Sequence, residues 1–223
     1  MTRIMGAGGF PIRPITYPSA AACDENGRLP ANRRRSIGIG GQLEPTAADA
    51  WDALYIGAAA EGFTGADALT WTPGGTYRTH AQQETVFYIR FRPVTGPDTD
   101  ELRDTFYMGQ WWELRPKYDG AAVATPGTSN HGRAVTVDTA RGPNMNNARG
   151  IHTNAANGRS ILGWLRQIAP TEWQTEPGTN LTNAETFGWC WEGPTHRPEP
   201  WHINYYRGDA FPARARATLD YVK

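Results

Sequence analysis

Two short segments, far apart in the chain, constrain its fold more than anything else in it. One is Ser129-Asn130-His131-Gly132-Arg133-Ala134-Val135-Thr136-Val137-Asp138; the other is Glu199-Pro200-Trp201-His202. Together they offer two imidazoles and a carboxylate that can close on one zinc ion, with a second carboxylate beside it. A catalytic zinc site takes three protein ligands, an open position for water and a nearby general base. His131, Asp138 and His202 are the candidate ligands, and Glu199 is the candidate base. The fold has to bring the two segments together.

The local pattern fits that demand. From Arg133 to Thr139 the residues alternate as in a strand, with the β-branched Val135 and Val137 on one face. The other face then carries Ala134, Thr136 and Asp138, and small residues beside a ligand leave room for metal and substrate. His131 has the wrong parity for that face, so Gly132 is expected to supply a turn that swings its ring round. Trp201 to Tyr206 also alternates, which places His202 on one face with Asn204 and Tyr206. Pro200 fixes the backbone between Glu199 and His202 and stops a helix running through them.

These residues resemble the zinc D-alanyl-D-alanine carboxypeptidases and related peptidoglycan endopeptidases, the VanY-like family. That family reads S-x-H, a small-residue strand ending in Asp seven residues after the His, and E-x-W-H near the C-terminus. Ser129, His131, Asp138, Glu199, Trp201 and His202 match it here. Tyr77-Arg78-Thr79 followed by Gln83 resembles its Y-R-S-x-x-x-Q segment, and Gly208-Asp209-Ala210-Phe211-Pro212 resembles its tail. The similarity spans Leu43 to Pro212. Ala134 and Thr136 stand where the family usually has Gly and Ala, which predicts a slightly narrower cleft floor. The resemblance implies that Arg78 stabilises the oxyanion, and that Ser129, Gln83 and Trp201 bind substrate. It further implies one Zn2+ per chain and peptide-bond hydrolysis in peptidoglycan stem peptides or cross-links.

Composition agrees with an enzyme domain. In 223 residues, 22 Lys and Arg balance 22 Asp and Glu, so no overall field draws the chain to nucleic acid or an anionic membrane. The Arg33-Arg34-Arg35 run is too short to change that. No apolar stretch is long enough for a membrane span. Nine Trp, with 25 Gly and 17 Pro, suggest a loop-rich protein with aromatic packing or a carbohydrate-facing cleft. The two Cys, Cys23 and Cys190, make neither a disulfide framework nor a zinc site, and Cys190 reads as a packed thiol. His80, His152 and His196 read as structural or surface residues.

The expected fold is α+β: a single domain in which a small antiparallel sheet carries the zinc site and helices pack around it, preceded by an extended N-terminal arm. Residues 1–42, rich in Gly, Pro and Arg, are read as the arm or docking segment, and 43–223 as the peptidase domain. A helix is predicted from near Pro45, with Trp51, Leu54, Tyr55 and Ala58 on its buried face and Gly62 as its stop. A strand is predicted around Ala68 to Trp71. Thr79 is predicted to cap a helix carrying Gln83, Phe87 and Arg90. Pro93 to Asp119 reads as irregular, covering one side of the cleft, and 140–158 as a long loop. Ser160 precedes a helical stripe of Ile161, Trp164, Leu165 and Ile168, and Asn183 is expected to cap a short helix ending at Gly188.

The N-terminus shows no apolar signal segment, so export of a wall hydrolase would need another route. The expectation is a bacteriophage enzyme carried on the virion tail and bound to other tail proteins through the arm. Three alternatives stay open: a free endolysin held in the host cytoplasm until lysis, a tail protein with an inactive peptidase fold, and a cytoplasmic dipeptidase.

Overall fold

Eight strands, six α-helices and several 3-10 turns make up the described part of the chain. The structure is a computed structural model, and it describes residues 11–22, 25–38, 40–97, 104–118, 123–139, 160–176, 180–191, 199 and 201–222. After a short helix α1 (Ser19–Ala22), strands β1 (Arg35–Ser36) and β2 (Gln42–Leu43) form a small antiparallel pair.

Helix α2 (Pro45–Ala60) starts as its sequence dictates. The Glu44 carboxylate accepts from the amides of Thr46 and Ala47 at 2.9 and 3.1 Å, and Pro45 occupies a first-turn position where its missing N–H costs nothing. Gly62, at φ 90°, closes the end. Trp51, Leu54 and Ala58 are buried as predicted, but Tyr55 is 43% exposed. The alanines explain the difference. Ala47, Ala48, Ala50 and Ala53 are all buried, so the inward face lies to one side of the stripe traced by bulky residues alone. That smooth face allows close packing. A Cβ on Gly57 would lie 2.6 Å from the Phe187 ring, and Trp51 meets Trp71 and Trp189 edge-on at 6.1 and 5.7 Å.

The central sheet has three antiparallel strands in the order β6 (Thr136–Asp138), β8 (His202–Tyr205), β7 (Trp189–Trp191). Every residue of all three is buried. Cys190 is among them, the packed thiol expected. Cys23 lies outside the described residues. The predicted strand at Ala68 to Trp71 is reduced to one antiparallel bridge, Trp71 to Thr139. Helices α4 (Ile161–Arg166), α5 (Asn183–Thr186) and α6 (Ala213–Tyr221) pack around this core. Ser160 caps α4 through Gly163 N, but Ile168 lies beyond its end and is 45% exposed. α5 is capped by Thr182 rather than Asn183, in a reciprocal box with Glu185.

The segment expected to be irregular is instead a second sheet. β3 (Phe91–Val94), β4 (Asp104–Tyr107) and β5 (Gln110–Leu114) pair antiparallel in the order β3-β5-β4. Pro93 within β3 conceals the strand, and it is tolerated because β3 is an edge. The hairpin turn is Met108-Gly109, both at positive φ, without the usual Asn-Gly signal. Helix α3 (His80–Arg90), capped by Thr79 as expected in a box with Gln82, lies on this sheet. Phe87 stacks on Phe91 at 4.6 Å and meets Tyr107 and Trp112 edge-on.

The N-terminal stretch is extended, and its described residues lie along the domain. Ile12 bridges Trp191, and Thr16 bridges Arg207. Arg13 pairs with buried Glu185 at 2.9 Å, and the Tyr17 hydroxyl donates to Asn130 at 2.6 Å. The predicted loop at 140–158 lies outside the described residues.

Candidate metal centre

Strand register builds the centre. Asp138 and His202 sit directly opposite each other on β6 and β8, and Thr136 faces Asn204 two pairs further along, on the same face. Directly opposed residues hold their side chains within reach of one another on one face. The His202 Nδ1 to Asp138 Oδ1 distance is accordingly 2.9 Å.

His131 arrives from a different element. Ser129 accepts from His131 N at 3.3 Å and starts a 3-10 turn, Asn130–Arg133, that ends in Ala134 at φ 56°. The expected turn therefore exists, but Ala134 takes the left-handed conformation and Gly132 does not. Gly132 is needed for close approach: a Cβ there would fall 1.8 Å from Asn26 Oδ1 and 2.4 Å from Gln83 Nε2. Ala134 and Thr136 are both fully buried, and the Thr136 hydroxyl donates to Asn204.

His131 Nε2 lies 3.3 Å from Asp138 Oδ2, and its Nδ1 lies 2.8 Å from the carbonyl of Thr76. A carbonyl only accepts, so Nδ1 carries the proton and Nε2 presents its lone pair to the carboxylate side. This is the outer hydrogen bond that typically orients a metal-ligating imidazole. One ligand atom from each of His131, Asp138 and His202 lies within 4.8 Å of the others, and all three residues are buried. Donors held at about 2.0–2.1 Å around a tetrahedral zinc are roughly 3.3–3.4 Å apart, and a set lying within 4.8 Å of one another is within reach of that spacing. The donor set therefore fits the ion.

The charges agree. Burial alone would raise the Asp138 carboxyl, but the hydrogen bonds and charges of His131 and His202 outweigh it and hold the group well below the usual carboxylate range. Burial lowers the His131 pKa, with Asp138 opposing and with Arg78 and His202 adding to the fall. An ionised carboxylate beside a neutral imidazole is the state a metal requires.

The remaining candidates surround this core. Arg78 donates from one terminal nitrogen to Asp138 Oδ2 at 2.7 Å and from Nε to the Gly74 carbonyl at 2.7 Å. Glu199 Oε2 is 3.8 Å from His202 Nδ1, with 40% of its side chain exposed, and its carbonyl accepts from His202 N at 3.0 Å. Trp201 is half-buried, and its carbonyl accepts from both the amide and the hydroxyl of Thr139. Gln83 is buried behind the site. Its Nε2 donates to Asn26 Oδ1 and to the Arg78 carbonyl at 3.1 and 3.3 Å, and its Oε1 accepts from Gly127 N at 3.0 Å. Gln83 thus ties Arg78 to the His131 turn. His80 pairs with Glu84 at 3.6 Å on α3; His152, His196 and Pro200 lie outside the described residues.

Sequence reasoning did not find Gly75, Thr76 or Asn26. The Gly75 carbonyl accepts from Asp138 N at 2.6 Å, and a Cβ on Gly75 would press on Asp138 at 2.9 Å. The Gly74-Gly75 pair was the one available signal for the first two.

No protein-family model matches the sequence, and no curated protein matches it. Among solved structures the chain is similar to the LdcB LD-carboxypeptidase, at 18% identity over 93% of this chain and 75% of that one, TM-score 0.42. It is also similar to a mutant of the vancomycin-resistance D,D-pentapeptidase VanY in complex with Zn(II), at 16% identity, 87% and 93% coverage and TM-score 0.42. VanYB in complex with D-alanine-D-alanine is similar at 15% identity, 88% and 91% coverage and TM-score 0.42. At this distance the metal and ligand named there belong to those proteins, and the chemistry of this chain rests on its own side chains.

Proposed function

We propose that this protein is a zinc-dependent peptidase acting on the peptides of peptidoglycan. The observation that carries the reading is the buried His131, Asp138 and His202 cluster with the Glu199 carboxylate at its rim. Bound there, zinc would act as a Lewis acid on the scissile carbonyl and make water a usable nucleophile near neutral pH.

The protein's own groups do the rest. Glu199 stands beside His202 with its carboxylate partly open to solvent, placed to take the proton of the attacking water and return it to the leaving amine. Arg78 fixes Asp138 through Oδ2 and brings a permanent positive charge to the side of the site where the oxyanion would develop. Thr76 holds the His131 tautomer. The peptidoglycan assignment is supported by the ordered set of Tyr77-Arg78, Gln83, Ser129-Asn130-His131, Asp138 and Glu199-Pro200-Trp201-His202, which resembles the VanY-like pattern.

The test is digestion of purified peptidoglycan, with the released peptides identified by mass spectrometry, using wild type and Glu199→Gln. Wild type should release peptides. The variant should keep its zinc and lose about 10²–10⁴-fold in turnover, since an amide cannot accept the proton. Zinc lost from Glu199→Gln but kept by Asp138→Asn would exchange the roles of the two carboxylates.

A further inference from the structure

The second sheet has two faces, and its core uses only one. Strand register places Phe91, Tyr107, Trp112 and Leu114 on the face toward α3, where they pack with Phe87. The opposite face carries two cross-strand rows. One is Val94, Trp111 and Phe106; the other is Arg92, Glu113 and Asp104. Trp111 meets Phe106 edge-on at 5.3 Å, and among the described residues neither ring joins either hydrophobic core. Phe106 is 55% exposed, and Met108 in the adjoining turn is 79% exposed. Aromatic rings set at a surface in this way offer a rigid apolar platform at little entropic cost.

An open cleft of about 410 Å³ adjoins the platform at the hairpin end, lined by Pro93, Val94, Thr95, Gly109, Gln110 and Trp111. Gln110 is fixed in it, because its Nε2 donates to the carbonyls of Val94 and Trp111. Its Oε1 is then left to accept from a ligand. A cleft of this size with a few placed polar groups suits a small molecule or one unit of a polymer.

Size and charge narrow the occupant. Three strands ~4.8 Å apart and four residues long make a face of roughly 200 Å² in projection, against roughly 800 Å² per partner in a stable protein interface. A second copy of the chain has too little to hold here. Arg92 gives Nε and a terminal nitrogen to Glu113 at 2.9 and 2.6 Å, and Asp104 stands in the same row. One cation against two carboxylates disfavours an anionic polymer or an anionic membrane. A pyranose answers both constraints: its C–H face stacks on an aromatic ring, and its rim of hydroxyls meets polar side chains. The face points away from α3, so a ligand on it leaves the metal centre open.

We propose that this face binds the N-acetylhexosamine backbone of peptidoglycan, with one sugar ring on Trp111 beside Phe106 and its acetamido group in the cleft, donating to Gln110 Oε1. The choice of polymer rests on the peptidase reading above. The second sheet is then an anchor that holds the enzyme on the wall glycan while the attached peptides reach the metal centre.

The experiment titrates the full chain with the N-acetylglucosamine tetramer, and with the glucose tetramer that lacks the acetamido groups, by calorimetry. Wild type, Trp111→Ala, Trp111→Phe and Phe106→Ser are compared, with melting temperatures in parallel. Wild type should bind the first tetramer and should bind the second about 3–10-fold more weakly, the worth of one hydrogen bond. Trp111→Ala should lose at least about 10-fold, as truncation of a central aromatic anchor does, and Trp111→Phe should keep part of the affinity. Phe106→Ser, at an exposed position, should lose about 2–10-fold with its melting temperature unchanged. Hydrolysis of a soluble stem peptide should be equal in wild type and Trp111→Ala, while release from intact peptidoglycan should fall in the variant.

No binding of the tetramer by wild type, or undiminished binding by Trp111→Ala and Phe106→Ser, would overturn the proposal. A wild-type dimer in sedimentation that Trp111→Ala dissociates would overturn it in favour of a second copy. Equal affinity for the two tetramers would overturn the acetamido assignment. Sugar binding without cleavage of any peptide would sink the peptidase reading and leave the sugar face standing; cleavage without sugar binding would do the reverse.

Discussion

Replacing Gln83 by leucine separates a brace from a substrate contact. The Gln83 amide makes three contacts, to Asn26 Oδ1, the Arg78 carbonyl and Gly127 N. Leucine keeps the volume and removes all of them. Asn26 Oδ1 and Gly127 N, which have no other contact of this kind among the described residues, then lose a partner at about 1–3 kcal/mol each. The apolar gain of the leucine offsets some of that, leaving a net loss of about 2–4 kcal/mol. For a domain of this size the melting temperature should fall by about 5–15 °C, at ~2–4 °C per kcal/mol. Calorimetry of the metal-free protein reads this without any contribution from zinc affinity. If Gln83 only oriented substrate, the melting temperature would stay within about 2 °C of wild type while KM rose, and the bracing role would be refuted.

Deleting residues 1–42 should unfold the protein rather than leave a working domain, because Leu29 is buried and the Gly27 amide donates to the Gly132 carbonyl behind His131; a cooperative melt in the truncated chain would contradict this. Alkaline titration should show late tyrosines. Burial pushes Tyr206 up to about 12 and raises Tyr205 as well. A folded pKa above the unfolded value of ~10 means the associated stability is complete below that pH and is lost as pH rises through the folded pKa. Tyrosinate absorbance followed with pH should therefore lose a late step in Tyr206→Phe; loss of a step near the ordinary value of ~10 instead would place Tyr206 in contact with solvent.

The parts of the fold that were legible in the sequence are those where a side chain declares its role. Pro45, Thr79 and Ser160 mark helix starts through their own chemistry, and the candidate metal ligands carry their identity with them. The sheet of β3, β4 and β5 was hidden by Pro93 and by a Met108-Gly109 turn that has no asparagine. The small inward face of α2 was hidden because alanine contributes little to a stripe of bulky residues, which drew Tyr55 inward on paper and left it exposed in the fold. Backbone partners were the least readable. The Thr76 carbonyl that sets the His131 tautomer and the Gly75 carbonyl that holds the Asp138 amide would be carbonyls whatever residue stood there. Asn26 reaches Ser129 O across the chain at 2.7 Å, and no local pattern connects the two.

The most direct measurement is the metal content of purified protein by elemental analysis, for wild type, His131→Ala and His202→Ala. Wild type should hold about one zinc per chain, and each variant should lose it, because a three-ligand site rarely retains its ion on two. Each variant should also stay folded by circular dichroism. Wild type prepared with zinc present that carries no metal, or a His131→Ala variant that still carries a full equivalent, would contradict the assignment of His131, Asp138 and His202 as a metal centre.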